Sequence, residues 1–176
     1  MQKQFGFILL ILSISSFSFS SQKDKSESQS ELKHIIQGEF ESSFGKGWQF
    51  SWNLNSTPHR IFGQSIPQDF DANDPIASEY AARDFIFNHP SLFNIYEENL
   101  DLWVNEQHGN LRYLIFNQVY ENIPVWNGRI DFRYRLNGDL VMIGHDAFPN
   151  LNVNTNPGVS MDQAIFYSKI HVDFDE

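Results

Sequence analysis

The stretch that decides the fold runs from Leu111 to His145. It reads Leu111-Arg-Tyr-Leu-Ile-Phe-Asn-Gln-Val-Tyr120, Glu121-Asn-Ile-Pro-Val-Trp-Asn-Gly128, Arg129-Ile-Asp-Phe-Arg-Tyr-Arg-Leu136, Asn137-Gly-Asp139 and Leu140-Val-Met-Ile-Gly-His145. The third piece alternates strictly. Ile130, Phe132, Tyr134 and Leu136 fall on one side, and Arg129, Asp131, Arg133 and Arg135 on the other. A period of two is a strand with one buried face and one solvated face. Asn137-Gly138 is a tight-hairpin signal, with Leu140 to Ile143 as the return strand. Leu111 to Tyr120 is a third strand, closed by a turn at Asn122 to Pro124. The segment is therefore expected to be a three-stranded antiparallel meander. Each buried apolar side chain of its middle strand contributes roughly 1.5–3 kcal/mol before entropy is counted.

Upstream, Trp48, Phe50, Trp52 and Leu54 alternate with polar residues, which predicts a strand whose aromatic side is core. Thr57 to Gly63 is a short extended piece. Asp74-Pro75 opens a helix, with Asp74 as N-cap and Pro75 where its missing N–H is harmless. Pro90 ends that helix near Asn88. Ala77, Ala81, Ala82, Phe85 and Ile86 form its apolar band, leaving Tyr80 and Phe87 at the edges or facing a partner. Leu100 to Val104 is a further strand. The expected class is α+β, with one helix packed on an antiparallel meander.

Length and composition set the limits. The chain has 176 residues, is 41% hydrophobic, carries a formal charge of −10 and contains no cysteine. One domain with appendages fits that length. Disulfides, a thiolate nucleophile and cysteine-bound zinc are excluded. The acidity makes nucleic acid a poor partner. Lys3 followed by the apolar run from Phe5 and the small residues at Ser18-Phe19-Ser20 predicts a signal peptide over residues 1–21, cleaved near Ser20 or Ser21, and hence secretion. The unbroken apolar core of that run is too short for a span of ~20 residues, so no membrane span is expected after cleavage. Its removal takes the charge to about −11.

Residues 22–44, serine-rich and polar, are expected to be a disordered leader. Residues 45–150 form the main domain and 151–158 a linker rich in Asn and Pro. Ser160-Met161-Asp162-Gln163 is a capping box that starts a helix over the last part, residues 159–176. That helix is expected to open a second, truncated domain.

Catalytic patterns are missing. The six histidines show no zinc-binding helical spacing. There is no nucleophile elbow, phosphate loop or dinucleotide fingerprint. His59 and His145 are expected to be hydrogen-bonded structural residues. The row Arg129, Arg133 and Arg135 reads as the solvated side of a strand. The chain is expected not to be an enzyme and to need no cofactor or metal.

Several stretches together resemble one family, the fungalysin/thermolysin propeptide (FTP) domain of secreted zinc metallopeptidases. The resemblance lies in Thr57-Pro58-His59-Arg60-Ile61-Phe62-Gly63, in Ala81-Ala82-Arg83-Asp84-Phe85-Ile86 with Leu92-Phe93, in Arg112 to Tyr120 with Ile123 to Gly128, and in Asn137-Gly138-Asp139. Pro157 to Ile170 is similar to the start of a PepSY domain. The resemblance implies a propeptide/cystatin-like fold. It also implies a set of structural pattern residues: Pro58, Gly63, Ala81, Phe85, Gln118, Tyr120, Pro124, Val125, Gly128 and Gly138. Its implied function is that of an intramolecular chaperone and inhibitor whose partner is a cognate metallopeptidase domain, expected in cis. A stand-alone secreted binding module or peptidase inhibitor is the alternative it leaves open.

Overall fold

The computed structural model of the chain describes residues 26–171. The expected signal peptide lies outside the described residues.

Six strands form one antiparallel sheet: β1 (Gln49–Trp52), β2 (Pro58–Ile66), β3 (Leu100–His108), β4 (Leu111–Tyr120), β5 (Ile123–Arg135) and β6 (Leu140–His145). Their spatial order is β1-β2-β6-β5-β4-β3. The meander β4-β5-β6 is present as the alternation predicts. Phe132 stands opposite Leu114 on one side and Ile143 on the other. Ile61 of β2 pairs in turn with Ile143. These four residues are fully buried and form the centre of the core face.

Helices cover that face. α2 (Pro75–Asn88) starts as its sequence dictates, with Asp74 Oδ1 accepting from Ile76 N at 2.8 Å and from Ala77 N at 3.3 Å. It buries Ala82, Phe85 and Ile86, and also Ser78, whose hydroxyl donates to the Asp74 carbonyl. A single-turn helix, α3 (Pro90–Phe93), adds Leu92 and Phe93. The rings of Phe85 and Phe93 both meet Phe132 at centroid distances of 6.0 Å. The class is α+β with an antiparallel sheet.

The leader departs from expectation. Residues 26–44 are a helix, α1, and not a disordered segment. Behind the serines lies a four-residue apolar period, Leu32, Ile36, Phe40 and Phe44, which a composition reading averages away. Ile36 and Phe40 are buried. Phe40 meets Trp48 edge-on at 5.2 Å, and Phe44 stacks on Phe85 at 5.7 Å. The first helix therefore closes the core over β1.

Two details of the meander also differ. Leu136 lies beyond the end of β5 and is only half-buried. The hairpin is not a two-residue turn. Gly138 N donates to Arg135 O, and Arg135 N donates to Asp139 O. That is a three-residue connection in which Gly138 alone takes the left-handed conformation, at φ 91°. Gly138 is doubly required, since a Cβ there would sit 2.6 Å from Phe70 O.

Past β6 the chain runs without helix or strand to α4 (Met161–His171). The expected capping box forms: Gln163 N donates to Ser160 Oγ at 3.2 Å, and Ser160 N to Gln163 Oε1 at 2.9 Å. Every side chain from Met161 to Ile170 is exposed, including Ile165, Phe166 and Ile170.

Candidate binding face

The sheet face away from α1, α2 and α3 carries the features that packing does not explain. The first is a wide irregularity between β4 and β5. Asn117 pairs with Arg129 and Val119 with Pro124, so Gln118 alone faces the four residues Val125 to Gly128. The excursion turns at Asn127, which has a φ of 58°. Gly128 has to be small, because a Cβ would lie 2.7 Å from Gln118 Oε1. Gln118 is buried and bridges to the chain after β6. Its Nε2 donates to Phe148 O, and its Oε1 accepts from Phe148 N, both at 2.8 Å.

This pinned excursion holds Trp126 out in solvent, 87% exposed. A second irregularity, in β3 between Leu102 and Val104, does the same for Trp103, which is 62% exposed. Between the two indoles lies a groove of about 320 Å³, floored by Asn117, Pro124 and Val125 and closed by Arg129. Large aromatic side chains exposed together mark interaction surfaces far more often than do scattered ones.

Beside the groove is an ionic lattice. Asp131, expected on a solvated strand face, is 2% exposed. The stems of arginines roof it: Arg133 Nη1 is 3.3 Å from Oδ1, Arg60 Nη2 is 3.7 Å from Oδ2, and Arg129 Nε is 4.0 Å from Oδ2. Gly144 makes room below, since a Cβ there would meet Asp131 Oδ2 at 2.6 Å and Arg60 Nη1 at 2.8 Å. Asp146 completes the group, with Arg60 Nη1 at 3.1 Å and His59 Nδ1 at 2.6 Å. Burial alone would raise the Asp146 carboxyl, but the bonds from His59, Arg60 and Asn53 outweigh it and hold it below the usual range. Arg133 is lowered by its own burial, against the pull of Asp131, and its guanidinium lies 4.2 Å from the centre of the Tyr113 ring.

His145 is buried under the sheet, with Nε2–H donating to Phe93 O at 2.8 Å and Nδ1 lacking a partner. Burial pushes its pKa down to about 4, so the ring is neutral at physiological pH. Among the described residues, no group of three or more His, Asp or Glu side chains is placed to hold a metal ion. Among them, too, no helix is long and apolar enough to cross a membrane.

The pattern residues divide between these regions. Gln118, Pro124, Val125 and Gly128 build the excursion and its groove, and Tyr120 is half-buried at the end of β4. Pro58 is buried at the start of β2, and Gly63 lies at the β2 irregularity with Gly47 O close by. Phe85 is core, Ala81 is half-buried on α2, and Gly138 makes the hairpin. Trp103, Trp126 and the Arg60–Asp131–Asp146 lattice were not among the sequence-derived candidates. The run Pro124-Val125-Trp126-Asn127-Gly128 held a signal for Trp126, because Pro124 and Asn127-Gly128 on either side of it interrupt the strand alternation that would place it in a core.

No protein-family model matches the chain, and no curated protein matches it. Among solved structures, the C-terminal domain of YpeB from Bacillus megaterium superposes with a TM-score of 0.40 at 16% identity, over 62% of this chain and 47% of that one. The chain thus spans about half the length of that neighbour. A superposition this loose assigns neither a family nor a function.

Proposed function

We propose that this chain is the secreted, non-catalytic pro-region of a thermolysin-like zinc metallopeptidase, acting as folding chaperone and inhibitor through the Trp103–Trp126 face. One observation carries the reading. The residues behind the resemblance to the FTP domain, Gln118, Pro124 and Gly128, form an excursion that leaves the Trp126 indole 87% exposed. Such an arrangement serves a partner and not the core. Binding without turnover is enough for both roles. A module with affinity for the native peptidase stabilises it by mass action, and one seated at the cleft occludes it. In this reading the zinc chemistry belongs to the peptidase.

The test is to add the purified chain to a thermolysin-like peptidase from the same source, in its active form and during refolding from denaturant, and to follow cleavage of a fluorogenic peptide. Stoichiometric inhibition and a raised refolding yield are expected, both weakened by Trp126→Ser. Unchanged activity and yield in both assays would overturn the reading.

A further inference from the structure

On the opposite side of the domain, the outer face of α2 carries a second surface that neither the core nor the groove uses. Ile76, Tyr80 and Phe87 are 80%, 73% and 74% exposed. Their spacing of four and seven residues places them in one stripe along the helix. Positions on the outer face of a helix are normally polar, and these three make an apolar row interrupted by Asp84 between Tyr80 and Phe87. The strip is not flat. A groove of about 460 Å³ runs beside the first turns of α2, and one of about 530 Å³ opens at its C-terminal end, where Tyr96 stands exposed.

The charges around the strip are of one sign. Asp69, Asp74 and Asp84 line the first groove and Glu98 the second, and no Lys or Arg lines either. The cation nearest in sequence, Arg83, is turned to the sheet side, with its Nε on Glu79 at 2.9 Å and its guanidinium over the Phe116 ring. The occupant must therefore bring apolar side chains and positive charge together.

From this we infer that the outer face of α2 is a docking site for a basic amphipathic helix of a partner protein. Its apolar side lies along Ile76, Tyr80 and Phe87, and its Lys or Arg side chains reach Asp69, Asp84 and Glu98. A second copy of this chain is disfavoured as occupant, because each carries a formal charge of −10 and would set acids against acids. An anionic membrane surface is disfavoured for the same reason. The inference does not depend on the peptidase reading, since the two surfaces lie on different elements and share no residue.

The experiment uses the full chain and a fluorescein-labelled leucine–lysine amphipathic helix, with its leucine–glutamate counterpart as control, read by fluorescence anisotropy at low and high salt. The wild type is expected to bind the basic peptide in a salt-sensitive manner and to ignore the acidic one. Tyr80→Ser/Phe87→Ser should lower affinity roughly 30-fold or more, as loss of aromatic anchors does. Its melting temperature should stay at the wild-type value because both side chains are exposed. Asp69→Asn/Asp84→Asn should weaken binding and flatten its salt dependence. Trp103→Ser/Trp126→Ser should bind as the wild type does. The proposal is overturned if the wild type fails to bind the basic peptide, if it binds both peptides equally, or if the Tyr80/Phe87 variant binds unchanged. An equal loss in the Trp103/Trp126 variant, or self-association abolished by the Tyr80/Phe87 changes, would overturn it too.

Discussion

Gln118 and Phe148 are joined by a closed pair of hydrogen bonds, side-chain amide to backbone amide, each 2.8 Å long. The pair ties β4 to the chain leaving β6 across the intervening β5. It also fixes the side chain against which Gly128 packs. Replacing Gln118 with Leu removes both bonds and is expected to destabilise the domain by about 1–3 kcal/mol in urea unfolding. A change smaller than the error of the measurement would show that the pair is incidental.

Gly128→Ala acts on the same contact from the other strand. Its methyl would fall 2.7 Å from Gln118 Oε1 and 2.9 Å from Val125 Cγ1. Overpacking of this kind costs about 1–3 kcal/mol. Because the clash is largely with Gln118, the double variant Gly128→Ala/Gln118→Ala should lose less than the two single variants together, with a coupling of about 0.5 kcal/mol or more. Additive losses would mean that Gly128 is constrained by Val125 or by its backbone alone.

The first helix makes a prediction that separates two views of residues 26–44. Phe40 is 4% exposed and packs against Phe44, Trp48 and Phe50. Phe40→Ala should therefore cost about 3–5 kcal/mol in global stability. A disordered leader would show no cost, and an unchanged unfolding midpoint would restore that view.

Much of the fold follows from short-range rules. The alternation of β5, the Asp74-Pro75 start of α2 and the Ser160–Gln163 box each rest on local chemistry, and each forms as its residues imply. What escaped the sequence depends on distance along the chain. The helix at 26–44 has its own apolar period, hidden in a serine-rich composition, but its docking depends on Phe44 reaching Phe85 on α2. Asp131 looked solvated because its strand neighbours are arginines. It is buried because Arg60, about seventy residues earlier, and Gly144, on the next strand, close over and under it. Of the candidate face, the glutamine and glycine of the excursion were among the residues singled out in the sequence, as structural pattern residues and without a role in binding. That their excursion leaves Trp126 exposed was not legible, since exposure is a property of the register between β4 and β5.

Asp131 tests that lattice. Asp131→Ala leaves Arg133 without its carboxylate partner, while Arg60 and Arg129 keep Asp146. All three keep some solvent contact, so the loss is expected at about 2 kcal/mol, below that of a fully buried pair. Gly144→Ala should destabilise to a similar degree by driving a methyl into Asp131 and Arg60. The two effects share one cause, and Gly144→Ala should be partly relieved in the Asp131→Ala background. Full additivity in urea unfolding would separate Gly144 from the lattice.

His145 gives the domain a pH dependence whose sign is fixed by burial. Its pKa falls from 6.5 to about 4 on folding, chiefly by desolvation, against the smaller upward pull of its bond to Phe93 O and of Asp146. Above pH 6.5 the ring is neutral in both states and adds nothing to the pH slope. Between 6.5 and about 4 the unfolded chain binds a proton that the folded chain refuses, so stability falls as the pH drops through that window. The full effect is about 3 kcal/mol. Asp146 adds a further loss only below its ordinary value of 3.8, because its folded carboxyl is depressed and its contribution persists until the pH falls through the folded pKa. His145→Gln removes the titrating ring and keeps an N–H for Phe93 O. The difference in unfolding free energy between wild type and this variant should therefore shrink as the pH is lowered from 7 toward 4. The measurement is urea unfolding of both proteins across that range. A difference that stays constant with pH would place the His145 side chain in a solvated setting, and the buried bond to Phe93 would have to be given up.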